Sequence, residues 1–153
     1  MKLSTKGRYG LRALIDLAVH EKEDAVSIQS IADRQGISVS YLEQLVRKLK
    51  QSGLVQSVRG AGGGYRLARE ADEISVGDIL RSLEGNLDAV TCSGFEEHSG
   101  CEGSEICVTK FVWKKINDAI SQTVDGIMLS ELVEESRAMI EKSGSSAGPV
   151  CQN

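Results

Sequence analysis

Three of the four cysteines, Cys92, Cys101 and Cys107, fall in one Gly- and Glu-rich stretch, T-C-S-G-F-E-E-H-S-G-C-E-G-S-E-I-C. Thiolates gathered on a loop at such spacings can hold a soft metal or an iron–sulfur cluster. Buried structural thiols fit poorly, because so polar a stretch offers no apolar core to cover them. Structural zinc usually pairs its cysteines about two to four residues apart, whereas here eight and five residues intervene. His98 lies inside the stretch and is either an imidazole ligand for iron or a solvated loop histidine. Cys151 stands apart in the tail S-G-S-S-A-G-P-V-C-Q-N and reads as a bystander.

A chain of 153 residues suits one domain, or a small domain with an assembly element. No apolar run approaches the ~20 residues that span a bilayer, and the start M-K-L-S-T-K-G-R-Y-G lacks a secretory signal. The expected location is the cytoplasm, with no membrane partner. Thiols stay reduced there, which favours metal or redox chemistry over a disulfide framework. An enzyme is not expected, since neither a nucleophile–base constellation nor a phosphate-cradling motif is present.

The net charge of −4 hides an asymmetry: residues 1–70 carry 12 Lys and Arg against 7 Asp and Glu, and residues 71–153 carry 6 against 15. A polyanion feels the local field more than the total, so the front half can still bind one.

The elements that position these groups follow from caps and periodicity. Ser4 or Thr5 caps a first helix running to about Glu21, with Leu11, Leu14, Leu17 and Ala18 on its apolar stripe. Ser27 caps S-I-Q-S-I-A-D-R-Q, which Gly36 ends. Ser40 and Glu43 form an S-x-x-E capping pattern before Y-L-E-Q-L-V-R-K-L-K. Two short helices about a Gly turn, the second ending in basic residues, describe a helix-turn-helix. Strands over Leu54–Val58 and Tyr65–Ala68 follow, joined by a tip containing Gly60, Gly62, Gly63 and Gly64 and flanked by Arg59 and Arg66. A basic β-ribbon after a helix-turn-helix makes a winged helix. Ser75, with Asp78 at the matching box position, caps a further short helix. From Glu84 to about Ile106 little periodicity remains. Val112, Ile116, Ala119, Ile120 and Val124 then form a helical seam, Asp125-Gly126 interrupts it, and M-L-S-E-L-V-E-E-S-R-A-M-I resumes as a final helix.

The expected fold is mainly α with a small β-wing: a winged helix-turn-helix domain over 1–83, a cysteine loop over 84–107, dimerisation helices over 108–142 and a flexible tail over 143–153. So much apolar helix surface after a small finished domain calls for a second copy, because helix-turn-helix proteins commonly read two-fold sites as dimers.

With S-T-K-G-R-Y-G, Q-G-I-S-V-S-Y-L-E-Q-L, S-V-R-G-A-G-G-G-Y, the cysteine stretch and C-V-T-K-F-V-W in place, the chain resembles a family of winged-helix regulators. That family includes the iron–sulfur cluster regulator IscR, the nitric-oxide-sensing NsrR and the cysteine-metabolism repressor CymR. The resemblance spans nearly everything except the last dozen residues. It implies a homodimeric transcription factor, most often a repressor of cluster-assembly genes, that reads double-stranded DNA at an imperfect palindrome. It also implies a [2Fe-2S] cluster on Cys92, Cys101 and Cys107, with cluster assembly proteins as donors. The family's fourth ligand is a His three residues after the last Cys, and here that position is Lys110, whose ammonium has no lone pair to give. The fourth bond stays open among His98, a carboxylate such as Glu97, Glu102 or Glu105, a residue of the partner subunit's first helix and an exogenous ligand. The departure keeps a nitric oxide or redox sensor in view, and a scaffold or electron carrier is the alternative of another class.

In this reading the helix beginning at Ser40 enters the major groove. Ser38, Ser40, Tyr41 and Gln44 meet phosphates or base edges. Glu43 is favourable only where a cytosine amino group donates to it, so it rejects other sites; its alternative role is partner to Ser40 in the cap. Arg59, with Gly60 and Gly62 beside it, suits the narrow minor groove. Lys6, Arg8, Arg47 and Lys48 are expected phosphate contacts.

Overall fold

Three serines start the first three helices. The computed structural model describes residues 3–22, 24–90, 101–103 and 105–144. Ser4 accepts from the Lys6 amide at the head of α1 (Thr5–His20), and Ser27 accepts from the Ser30 amide at the head of α2 (Ile28–Gln35). Ser38 accepts from the Tyr41 amide at the head of α3 (Val39–Gln51). Each such cap satisfies a helix-end N–H and contributes about 1 kcal/mol. Gly36 closes α2 at φ 63°, a left-handed position that suits glycine.

The start of α3 corrects the expected cap. Ser38, not Ser40, is its N-cap, so Ser40 lies inside the helix and Glu43 is no capping partner. Both serines match the capping preference. The Gly36–Ile37 turn decides between them, because it leaves the chain extended at Ser38 (φ −68°, ψ 144°).

Strands β1 (Val55–Val58) and β2 (Gly64–Leu67) pair antiparallel, with Val55 opposite Leu67 and Val58 opposite Gly64. They form the wing, within one residue of the expected spans. Val26 joins it through two backbone hydrogen bonds with Tyr65, of 2.8 and 2.9 Å. Gly64 lies against the Val26 carbonyl, where a Cβ would collide. A 3-10 turn at Ala71–Glu73 leads to α4 (Val76–Glu84), capped by the expected reciprocal pair Ser75 and Asp78. The last helices are α5 (Thr109–Asp125) and α6 (Leu129–Ser143).

One apolar core is built from α1, α2, α3, α4, the base of the wing and α6. Leu14, Ile31, Leu42, Leu45, Leu49, Leu54, Ile74, Ile79, Leu83 and Leu129 are its fully buried large side chains. Each contributes roughly 1.5–3 kcal/mol by leaving water. The α1–α2 contact also holds a charge: buried Asp16 takes two forked bonds from Arg34 (2.9 Å each) and one from Gln35 (3.3 Å). Losing Arg34 would remove the cation paired with that buried carboxylate and leave it only Gln35 and His20.

The two C-terminal helices behave differently. The expected grouping over 108–142 put them together, but Leu129 and Val133 of α6 belong to the main core and pack with residues 1–83. In α5 no residue is buried; Ile120 and Val124 rest on Val76, Leu80 and Leu87, while Phe111, Val112 and Ile116 face outward. Among the described residues no helix is long and apolar enough to cross a membrane.

Candidate nucleic-acid interface and cysteine segment

The outward face of α3 presents Ser40, Glu43, Gln44 and Arg47, all exposed, with Ser38 exposed at its cap. The opposite face, Leu42, Leu45, Val46 and Leu49, is locked into the core, so the polar face has one orientation. Tyr41 is half-buried and ties α3 to α1: its hydroxyl donates to Thr5 Oγ1 (3.2 Å), and its ring meets Tyr9 edge-on at 6.2 Å. Arg12 lies over Tyr9 at 5.3 Å and donates to Gln35, which continues the brace into α2. Lys6 and Arg8 stand exposed on the first turns of α1.

Lys48 does not join that outward face. It is half-buried, and its ammonium donates to the Leu83 carbonyl at the end of α4 (3.1 Å), where the unsatisfied carbonyls of a helix terminus attract a cation. Lys50, not singled out in the sequence, instead donates to Ser57 on the wing (2.8 Å).

At the wing tip Arg59, Gly60 and Gly62 are exposed. Gly60 takes φ 114°, and a Cβ on Gly63 would strike the carbonyls of Val58 and Gly60. Gly62 has open space around it, so no neighbour within the chain demands a glycine there. A tip so thin can approach another molecule's backbone closely.

Cys101 is exposed, Cys107 is half-buried, and both are free thiols. Cys107 directly precedes the first turn of α5, with Thr109 Oγ1 3.1 Å from its sulfur. The Thr109 hydroxyl, then the Lys110 and Thr109 amides and the Lys110 charge, hold the thiol below its ordinary pKa. A helix start thus favours the thiolate, the form that ligates metal. The Lys110 ammonium lies 5.5 Å from the centre of the Phe111 ring. Glu102 and Glu105 are exposed. Among the described residues no three His, Cys, Asp or Glu converge closely enough to hold a metal. Cys92, Glu97, His98 and Cys151 lie outside the described residues. The thiols that are described fit a cluster by donor chemistry: two uncombined sulfurs, one of them, Cys107, with its pKa lowered by the Thr109 hydroxyl.

Contacts that no residue pattern announces join the start of this segment to α1. Glu84, the last residue of α4, accepts from the Ser4 amide (3.0 Å), the Ser4 hydroxyl (2.6 Å) and the Gly7 amide (2.9 Å). Burial pushes its carboxyl up, but these bonds and the Lys6 charge outweigh that and hold it below its ordinary range. Asn117 on α5 accepts from the Ala89 amide (2.9 Å), and Arg81 grips Asp125 with two bonds of 2.6 and 3.0 Å. One signal was visible: a carboxylate ending its own helix opposes that helix's dipole, so Glu84 invites a search for another partner.

The profile of the Rrf2 family, described as iron-dependent transcriptional regulators, matches residues 3–135. The HTH-type transcriptional regulator IscR of Aliivibrio salmonicida is 48% identical over 133 residues, 87% of this chain and 77% of that protein. The solved structure of T. potens IscR is similar at TM-score 0.73 and 45% identity, covering 91% of this chain and 90% of the other. CymR, the global cysteine regulator of B. subtilis, is similar at TM-score 0.72 and 41% identity, covering 88% and 98%.

Proposed function

The chain belongs to the Rrf2 family of iron-dependent transcriptional regulators, and from that premise we propose that it is a homodimeric repressor of iron–sulfur cluster-assembly genes whose operator binding follows cluster occupancy. The single observation carrying this reading is the pairing of an outward polar helix face and thin basic wing with two free thiols, Cys101 and, beside the start of α5, Cys107.

In this reading two copies meet through the exposed apolar face of α5 and set two α3 helices into successive major grooves of an imperfect palindrome. Lys6, Arg8 and Arg47 hold phosphates and supply salt-dependent affinity. Ser38, Ser40, Tyr41 and Gln44 orient on backbone and base edges, and Glu43 penalises any site that offers it no amino donor. Arg59 enters the minor groove, where the glycines leave it room. Cys92, Cys101 and Cys107 would hold a [2Fe-2S] cluster. The Thr109 hydroxyl and the amides at the α5 terminus lower the pKa of the Cys107 thiol, which eases its deprotonation on ligation. When bound, such a cluster supplies an iron-dependent, oxidant-labile crosslink between thiolates. Lys110 leaves the fourth ligand to His98, to a carboxylate (Glu97, Glu102 or Glu105), to the partner subunit or to an exogenous donor. The nitric-oxide and cysteine-metabolism readings share this architecture and differ in what the thiols sense.

Purification without oxygen tests the reading. Coloured protein with near-equal iron and acid-labile sulfide, lost in Cys92→Ala, Cys101→Ala and Cys107→Ala, is the expected result. Colourless protein that takes up neither on reconstitution would refute it.

A further inference from the structure

We propose that Glu84 is a positioning residue that couples the cysteine segment to the DNA-facing helices, an inference resting on the functional reading above. Its carboxylate ends α4, against that helix's dipole, yet it takes three hydrogen bonds from the first turn of α1. There it does for α1 what an acid at a helix start does. Gly7 leaves the room this needs, since a Cβ would come within 2.7 Å of the carboxylate.

The preceding residue completes a junction. The Leu83 carbonyl takes the Lys48 ammonium of α3 at 3.1 Å. The last two residues of α4 therefore grip both helices that carry the DNA-contact candidates, and the Tyr41–Thr5 bond closes the triangle. The next residue, Gly85 at φ 84°, opens the segment toward the cysteines, and that segment is fastened to α5 where Ala89 meets Asn117. The segment therefore has two anchors: a rearrangement in it would act on α5 through Ala89 and, through the α4 terminus, on α1 and α3 together. Packed elements pass such a shift on because they interlock in discrete arrangements.

The test is the ratio of operator affinities of cluster-loaded and apo full-length dimer, measured without oxygen, for wild type and Glu84→Ala. Glu84→Ala should keep the visible spectrum, the dimer and the salt slope, because Glu84 meets no phosphate. Its ratio should fall on the order of 5-fold or more, the lower range of allosteric coupling. Glu84→Gln, which keeps a carbonyl acceptor, should give an intermediate ratio, and it decides the matter if Glu84→Ala does not fold. A wild-type ratio in the folded variants, or equal weakening of both forms, would overturn the proposal and leave Glu84 a purely structural cap. A wild-type protein whose own ratio is one overturns the functional reading, and this proposal with it.

Discussion

Glu43 and Lys48 lie five residues apart on one helix and have opposite fates. Glu43 is exposed and makes no cap, so its carboxylate is left to face whatever α3 docks against. Glu43→Ala is expected to relax discrimination at the base it reads by about 1–3 kcal/mol, with little change for the preferred operator, as checked on a panel of single-base operator variants. Arg47→Ala should instead weaken all of them alike and reduce the salt slope by about one phosphate contact. Lys48 was expected to meet phosphate, yet it is half-buried and its ammonium donates to the Leu83 carbonyl. Lys48→Met should therefore lower stability by about 1.5–3 kcal/mol, typical of a charged hydrogen bond, in urea unfolding, while the salt slope of operator binding stays at the wild-type value. Nothing in the residue types separates Arg47 from Lys48. Only the approach of α4 does.

Element by element, the caps and stripes were legible where local chemistry decides. Ser4, Ser27 and Ser75 start helices as expected, Gly36 ends one, and the glycine-rich ribbon is the wing. The misplaced cap at Ser40 shows the limit: two serines two residues apart satisfy the same preference, and the turn geometry before them chooses Ser38. The return of α6 to the main core was likewise hidden, because an amphipathic stripe does not say which surface it will cover. At the site, the cysteines were plain in the sequence, whereas Glu84 and Asn117 act across long separations that periodicity cannot encode. The Glu84 bonds also carry a pH signature. Its folded-state pKa lies below the ordinary value of 4.5, so its contribution is complete above that value and is lost as pH falls through the folded one. Thermal unfolding of apo protein between neutral and acid pH should show a decline below that range, and Glu84→Gln should flatten it; an unchanged decline would assign it to other carboxylates.

For the whole molecule, the exposed apolar face of α5 is the surface on which the proposed dimer rests. Phe111, Val112 and Ile116 are exposed on α5 although they are large and apolar. If two copies meet through this face as proposed, Ile116→Glu should leave the chain folded yet shift sedimentation from dimer toward monomer, and operator affinity should fall steeply as the two half-sites lose their linkage. In the proposed function the sulfur site and the DNA face share one free-energy balance. The decisive measurement is oxygen-free operator titration at one fixed salt concentration, comparing cluster-loaded protein with its apo form and with Cys92→Ala. Loaded protein should differ from both others in affinity or operator choice, and the other two should agree; identical binding curves for all three would rule out a shared balance.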